Sequence, residues 1–138
     1  MTSIVVYEGD LRTSATHLQS STVIETDAPT DNNGKGERFS PSDLLATSLA
    51  NCMVTIMGIK ARNMNIQLDG TTIRIEKIMK SEPRRVGAIN LTFEFPETIA
   101  SLNEKDKTIL KNAAHNCPVM QSIHPEIEVN VDWSAWKQ

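Results

Sequence analysis

The residues of this chain best suited to chemistry are its two cysteines. Cys52 lies in a long uncharged apolar stretch, and Cys117 directly precedes Pro118. An ordinary cysteine thiol has a pKa of ~8.5, so only a few per cent is thiolate, the reactive form, at pH 7. Two such residues could be inert buried side chains, a redox pair or metal ligands. Composition alone leaves all three interpretations open.

A metal site is the least favoured of these interpretations. The candidate ligands are Cys52, His115, Cys117 and His124. Common zinc motifs place ligands two to four residues apart at both ends of the site, and this set does not. A single histidine near a helix end is more often a capping or surface residue. The sequence therefore predicts no bound metal.

A reactive Cys52 would need a nearby cation. It lies ~12 residues into a predicted helix, and the favourable field of the helix dipole fades within the first turn. Arg62 would be ~15 Å further along the helix axis and is too distant. Cys117 differs, because Pro118 suits the first turn of a helix, where unbonded backbone N–H groups could face the thiol. The remaining candidate cations near Cys52 are Arg12, Arg38, Arg84 and Arg85.

The helix that carries Cys52 has a well-marked start. Ser40 is a favoured N-cap residue, Pro41 suits the first helical position, and Asp43 adds a negative charge in the first turn. The pattern predicts a helix over residues 40–63. An apolar row at steps of three and four residues is expected to form its buried face. The row consists of Leu45, Leu49, Cys52, Ile56 and Ile59.

This helix is apolar almost all round, since no charge occurs between Leu44 and Ile59. Such helices are buried on most sides. One layer of a 138-residue α+β protein does not readily supply that cover. The pattern therefore predicts a homodimer with this helix at its centre.

The rest of the chain predicts an α+β fold, because strands lie on both sides of the helix without regular βαβ alternation. A loop is expected over residues 28–36. A second helix is expected over 103–115 and a short one over 118–123. The hairpin turn signal Asp69-Gly70 predicts that residues 66–68 pair with the following strand. The predicted strands cover residues 3–7, 11–19, 22–26, 66–68, 72–79, 86–95 and 127–131.

Composition limits the possible functions. A chain of 138 residues suits a single domain over 1–138. A net charge of −3 without a basic run gives no indication of nucleic-acid binding. The N-terminus does not resemble a signal peptide, and the long helix contains too much Thr, Ser and Asn for a membrane span. We therefore expect a cytoplasmic protein without membrane partners, whose cysteines are reduced or redox-active.

Two motifs resemble those of a known family. SPSDLLATSLANCM around Cys52 and NCPVMQSI around Cys117 are similar to the two cysteine motifs of the OsmC/Ohr family, the osmotically inducible and organic hydroperoxide resistance proteins. The stretch TDAPTDNNGKG fits the loop that precedes the first motif in OsmC-like sequences. The resemblance covers essentially the whole chain. It is specific to the family and less specific to a substrate.

The resemblance implies an α+β, OsmC-like fold in which antiparallel sheets wrap around the long central helices of an intertwined homodimer. It also implies a peroxidase that reduces organic hydroperoxides, with Cys52 as the peroxidatic and Cys117 as the resolving residue. The thiolate becomes a sulfenic acid and then a disulfide. Neither a metal nor an organic cofactor is implied, and an external thiol reductant supplies the electrons.

The chain departs from the family pattern at one position. Peroxidase members usually carry a glutamate directly after the proline that opens the long helix, and it holds an activating arginine. Here that residue is Ser42, while Asp43 fits better as a helix-start charge. Arg12 is the nearest match to the arginine, and Glu37 is a candidate substitute for the glutamate. The alternative function is therefore an OsmC-like binding or structural protein without efficient peroxidase chemistry.

Overall fold

The computed structural model describes residues 1–136. The chain divides into two compact units, Met1–Leu45 and Ala46–Gln138, and each is described by itself. The prediction of a single domain over residues 1–138 stays a prediction.

The first unit contains a three-stranded antiparallel sheet in the order β1-β2-β3, which confirms the predicted N-terminal meander. Asp10 and Leu11 form the turn between the first two strands, and both have positive φ angles, 52° and 63°. Two such residues match the tight hairpin turn that follows the strand twist. A single 3-10 turn, Thr30–Asn32, interrupts the following loop. The strands are β1 (Ser3–Gly9), β2 (Arg12–His17) and β3 (Val23–Asp27).

The long helix α1 spans Pro41–Asn63, as predicted. Its start is a reciprocal cap. The Asp43 backbone N–H donates to Ser40 Oγ at 3.0 Å, and the Ser40 backbone N–H donates to Asp43 Oδ2 at 2.9 Å. These bonds satisfy N–H groups that have no partner within the helix. Asp43 therefore has the helix-start role that the sequence favoured.

The buried face of α1 is not the predicted row. Of that row only Leu49 is fully buried, whereas Leu45 is 39% exposed and Ile59 is 56% exposed in the single chain. A helix apolar all round has no polar face to show which side is buried, so the spacing selected the wrong row. The helix is also long and apolar enough to cross a membrane, a test that protein-core helices pass as well. The residues that are buried are Ala46, Leu49, Ala50, Met53, Met57 and Ala61.

The second unit contains a three-stranded sheet in the order β4-β5-β6. β4 and β5 form an antiparallel hairpin, whereas β6 is parallel to β5. This corrects the expectation of purely antiparallel sheets. Three helices intervene between β5 and β6, and such a crossover returns the chain in the parallel direction. The strands are β4 (Thr72–Lys80), β5 (Arg85–Glu94) and β6 (Glu128–Asp132).

The intervening helices include the two that the sequence predicted, α3 and α4, and a single-turn helix that it did not, α2. The core of this unit contains Ile89, Leu91 and Phe93 of β5 together with the buried residues of α1. The helices are α2 (Glu97–Ala100), α3 (Glu104–His115) and α4 (Pro118–Ser122), and a 3-10 turn, Ser134–Trp136, follows β6.

The predicted strand at residues 66–68 is wrong. Asn65 has a positive φ of 57°, which ends α1, and the Ile66 N–H donates back to the Ala61 carbonyl at 2.8 Å. The Thr71 N–H and hydroxyl both donate to the Leu68 carbonyl, at 3.0 and 2.7 Å. These bonds form the end of a helix and a turn. The partner of β4 is therefore β5.

Candidate functional site

The second unit brings the two predicted cysteines together. Cys52 is half-buried on α1, and Cys117 is fully buried in the core. Both are free thiols, and the Cys52 side chain lies close enough to raise the pKa of Cys117. The half-buried Cys52 is partly accessible from solvent, whereas Cys117 is not.

Cys117 is the N-cap residue of α4, and Pro118 begins the helix. Its sulfur accepts the backbone N–H of Met120 at 3.4 Å, which confirms that the thiol faces backbone donors. Burial nevertheless dominates and raises the pKa of Cys117. The neighbouring Cys52 adds to this, and the N–H groups of Met120 and Val119 oppose it. Cys117 is therefore a protonated thiol at neutral pH, which suits a residue that reacts second.

In the first unit, Arg12 is bound by Asp27, an acid that the sequence pattern did not identify. Its Nε donates to Asp27 Oδ1 at 2.7 Å, and its Nη2 donates to Asp27 Oδ2 at 2.8 Å. The Glu37 backbone N–H donates to the same carboxylate at 3.1 Å. The Arg12 guanidinium lowers the pKa of Asp27 to about 2, and Asp27 in turn raises the pKa of Arg12. Both groups are charged across the physiological range.

Glu37, the acid proposed from the sequence, lies further from Arg12. Its Oε2 is 3.8 Å from Arg12 Nη2, and its side chain is 59% exposed. The signal that could have identified Asp27 is the strand register, because Arg12 and Asp27 are directly opposite each other in the β2–β3 ladder. Asp27 directly precedes the predicted loop, so its place in the β2–β3 ladder could not be read from the sequence.

Two of the other candidate arginines, Arg38 and Arg85, have identified partners. Arg38 Nε lies 3.2 Å from Glu25 Oε1 on the surface. Arg85 Nη1 donates to the carbonyls of Ser81 and Pro83, at 3.0 and 2.9 Å. Arg62 lies in the last turn of α1.

The hypothetical metal ligands do not form a cluster. Within residues 1–136, no group of three or more His, Cys, Asp or Glu side chains could hold a metal ion. His115 contacts the Trp133 ring edge-on at 6.1 Å between centroids. His124 Nδ1 accepts the Glu126 backbone N–H at 3.1 Å.

Comparison with known proteins agrees with the fold. A crystal structure from Psychrobacter arcticus, of a candidate osmotic stress induced and detoxification response protein, is 55% identical, with a TM-score of 0.91 over 96% of this chain and 94% of that chain. An organic hydroperoxide resistance protein OsmC from Legionella pneumophila is 19% identical, with a TM-score of 0.72 over 96% of each chain. OhrB of Bacillus subtilis is 19% identical, with a TM-score of 0.66 over 96% of this chain and 97% of that chain. No curated protein matches.

The two more distant structures show the fold alone. The family assignment rests on the family model for OsmC-like proteins, which matches residues 34–132 and so includes both cysteines. The chain belongs to the OsmC-like protein family.

Proposed function

We propose that this protein is a thiol-dependent peroxidase that reduces organic hydroperoxides in oxidative stress defence. The observation that carries the proposal is the pairing of a half-buried Cys52 with a fully buried Cys117 whose pKa is raised. Two structural neighbours are named organic hydroperoxide resistance proteins, and those names support a role in peroxide stress.

The proposed reaction has three balanced steps. The Cys52 thiolate attacks the terminal oxygen of the hydroperoxide, the O–O bond breaks, and the products are a Cys52 sulfenic acid and, after protonation, an alcohol. The Cys117 thiol then condenses with the sulfenic acid to give a disulfide and water. An external dithiol reductant finally reduces the disulfide and is itself oxidised. We assign this cycle to the cytoplasm, where such reductants are kept reduced.

We assign the activation of Cys52 to Arg12. A guanidinium beside a thiol favours the thiolate and can also stabilise the charge that develops on the leaving oxygen. Arg12 is permanently charged and rigidly held through Asp27. Glu37 is a secondary contact of the same guanidinium.

The second candidate function is an OsmC-like binding or structural protein. One observation favours it: Ser42 occupies the position where peroxidase members carry glutamate, and its hydroxyl lies 3.2 Å from Ser40 Oγ beside the helix cap. A binding protein would keep the fold and consume no hydroperoxide.

Steady-state turnover distinguishes the two functions. Wild type is supplied with an organic hydroperoxide and a dithiol reductant, and peroxide loss is followed. Cys52→Ser should abolish consumption, because the attacking sulfur is gone. Without the dithiol, Cys117→Ser should still consume about one equivalent and form a sulfenic acid, but should not form an intramolecular disulfide. Wild-type protein that consumes no hydroperoxide with any dithiol would leave the binding function as the better account.

A further inference from the structure

A cleft of about 920 Å³ lies wholly within the second unit, apart from the cysteine pair. The C-terminal half of α1, the loop over residues 65–69 and the segment 98–102 form its walls. Among the residues that the structure describes, neither Cys52 nor Cys117 lines it. Its volume is that of a small-molecule site. We propose that this cleft binds a small amphipathic carboxylate, with the carboxylate on Arg62 and the apolar body on the floor.

The floor of the cleft is apolar. Ile99 of α2 is 3% exposed, and the other apolar residues of the floor are half-buried. Backbone bonds fix this surface, because the Ile66 N–H donates to the Ala61 carbonyl at 2.8 Å and the Leu102 N–H donates to the Ile99 carbonyl at 3.4 Å. A hydrocarbon chain can therefore cover the floor without a rearrangement of the backbone. The half-buried floor residues are Ile66, Leu68 and Leu102.

Gly58 keeps the cleft open down to the α1 backbone. Glycine inside a helix is less favourable than alanine, so its presence there needs a reason. Close packing is not that reason. Within residues 1–136, a Cβ built on Gly58 would meet nothing within 4 Å outside its own stretch of helix. A larger side chain at this position would extend into the cleft.

Arg62 carries the only positive charge among the described residues that line the cleft. It lies in the last turn of α1, and its guanidinium forms no hydrogen bond or ion pair with any of residues 1–136. A guanidinium presents two parallel N–H donors, which fit the two oxygens of a carboxylate. Lys60 lies in the same turn and has the same favourable interaction with the helix dipole, but it does not line the cleft. Lys60 is therefore the matched control for Arg62.

The rim of the cleft distinguishes a carboxylate from two other occupants. Asp69 is the one acid among the described lining residues, and it would attract an amine. Aspartate before Gly70 is explained by the turn that it begins, whereas no structural partner accounts for Arg62. A second copy of the chain is the other competitor, because Ile59 forms an exposed edge of the cleft. The centres of subunit interfaces are poor in charged residues, and this cleft contains two.

Titration with octanoate, octylamine and octanol, followed by two-dimensional amide NMR of the reduced protein, tests the site. Octanoate should cause saturable shifts at Thr55, Gly58 and residues 65–69. Octylamine and octanol have the same carbon chain without the carboxylate, and they should bind at least about 10-fold more weakly. Arg62→Met should weaken octanoate binding by a similar factor. Lys60→Met should bind octanoate within about twofold of wild type.

Gly58 provides a second test that leaves the charges unchanged. Gly58→Leu places a branched side chain in the cleft and should abolish the octanoate shifts at residues 65–69. Gly58→Ala adds only a methyl group and should retain them. Sedimentation of both variants shows whether the substitution changes the oligomeric state. The Arg62→Met comparison remains decisive if Gly58→Leu does not fold.

Four results would overturn the inference. The first is a wild type without saturable shifts up to about 10 mM octanoate. The second is an unchanged octanoate affinity in Arg62→Met or in folded Gly58→Leu. The third is octylamine binding as tight as that of octanoate and lost in Asp69→Asn, which would assign the cleft to cations. The fourth is a shift from dimer to monomer in Gly58→Leu, which would identify a second copy as the occupant. None of these readouts depends on hydroperoxide turnover, so the inference and the proposed function fail separately.

Discussion

At the residue scale, two thiols in one unit differ because their surroundings differ. Cys52 is half-buried on a helix face, whereas Cys117 is fully enclosed and caps a short helix. Burial raises the pKa of Cys117 more than its backbone donors lower it. Environment, rather than residue type, therefore separates the attacking role from the resolving role in the proposed cycle.

This difference predicts the pH dependence of the second chemical step. The condensation of Cys117 with the Cys52 sulfenic acid requires the Cys117 thiolate, and burial raises the pKa of Cys117 above the ordinary thiol value of ~8.5. The rate of disulfide formation after a single addition of hydroperoxide should therefore still be rising at pH 9. Stopped-flow measurement with Cys117→Ser as the blank isolates this step. A rate that levels off below pH ~8 would mean that Cys117 ionises more readily than its burial implies.

At the element scale, α1 carries Cys52, and a reciprocal cap sets its first turn. Ser40 is almost completely buried, so water cannot replace its hydroxyl after removal. Ser40→Ala should lower the free energy of unfolding by about 1 kcal/mol, measured by urea titration. Ser81→Ala is a suitable control, because Ser81 lies exposed in the β4–β5 turn and Arg85 contacts only its carbonyl. The control should stay within about 0.5 kcal/mol of wild type, and an equal loss in both variants would contradict the role of the cap.

Local signals account for the elements that the sequence predicted correctly. The caps at Ser40 and Asn103 each depend on residues three positions apart, and both are present in the structure. The strand at 66–68 was wrong because Asp69-Gly70 is a true turn signal that follows the end of a helix. The direction of β6 depends on three intervening helices, which no local pattern encodes.

The candidate site, like the fold, could be predicted only in part from the sequence. Both cysteines could be identified from residue type and from the family resemblance, and the second unit brings them together. The acid that pairs with Arg12 could not be identified from the sequence, because its identity depends on the register between β2 and β3. Asp27 and Arg12 are 15 residues apart, and only the paired strands make them neighbours.

At the scale of the whole molecule, the single chain leaves large apolar side chains uncovered. Four consecutive residues of β1 are at least 50% exposed, and Ile59 of α1 is 56% exposed. Monomeric proteins rarely leave such surfaces open. The exposed residues of β1 are Ile4, Val5, Val6 and Tyr7.

We therefore predict that the protein is an obligate homodimer. Sedimentation should give a dimer at micromolar concentration. Ile59→Glu should shift it toward monomer, because it places a charge on the uncovered part of α1. Lys60→Glu introduces the same acid at the next residue and tests whether an added negative charge alone disrupts the dimer. This variant should remain dimeric. A stable, folded wild-type monomer at micromolar concentration would contradict the prediction.

Peptide mass mapping after the addition of one equivalent of organic hydroperoxide to the fully reduced protein tests the proposed pairing of Cys52 with Cys117 most directly. Reduced thiols are blocked, and the digest is analysed without reductant. We expect one intramolecular Cys52–Cys117 disulfide and one equivalent of alcohol. Recovery of Cys52 as a sulfinic acid with Cys117 still a free thiol would contradict the resolving role. Recovery of both cysteines as free thiols, with the hydroperoxide unchanged, would contradict the peroxidase function itself.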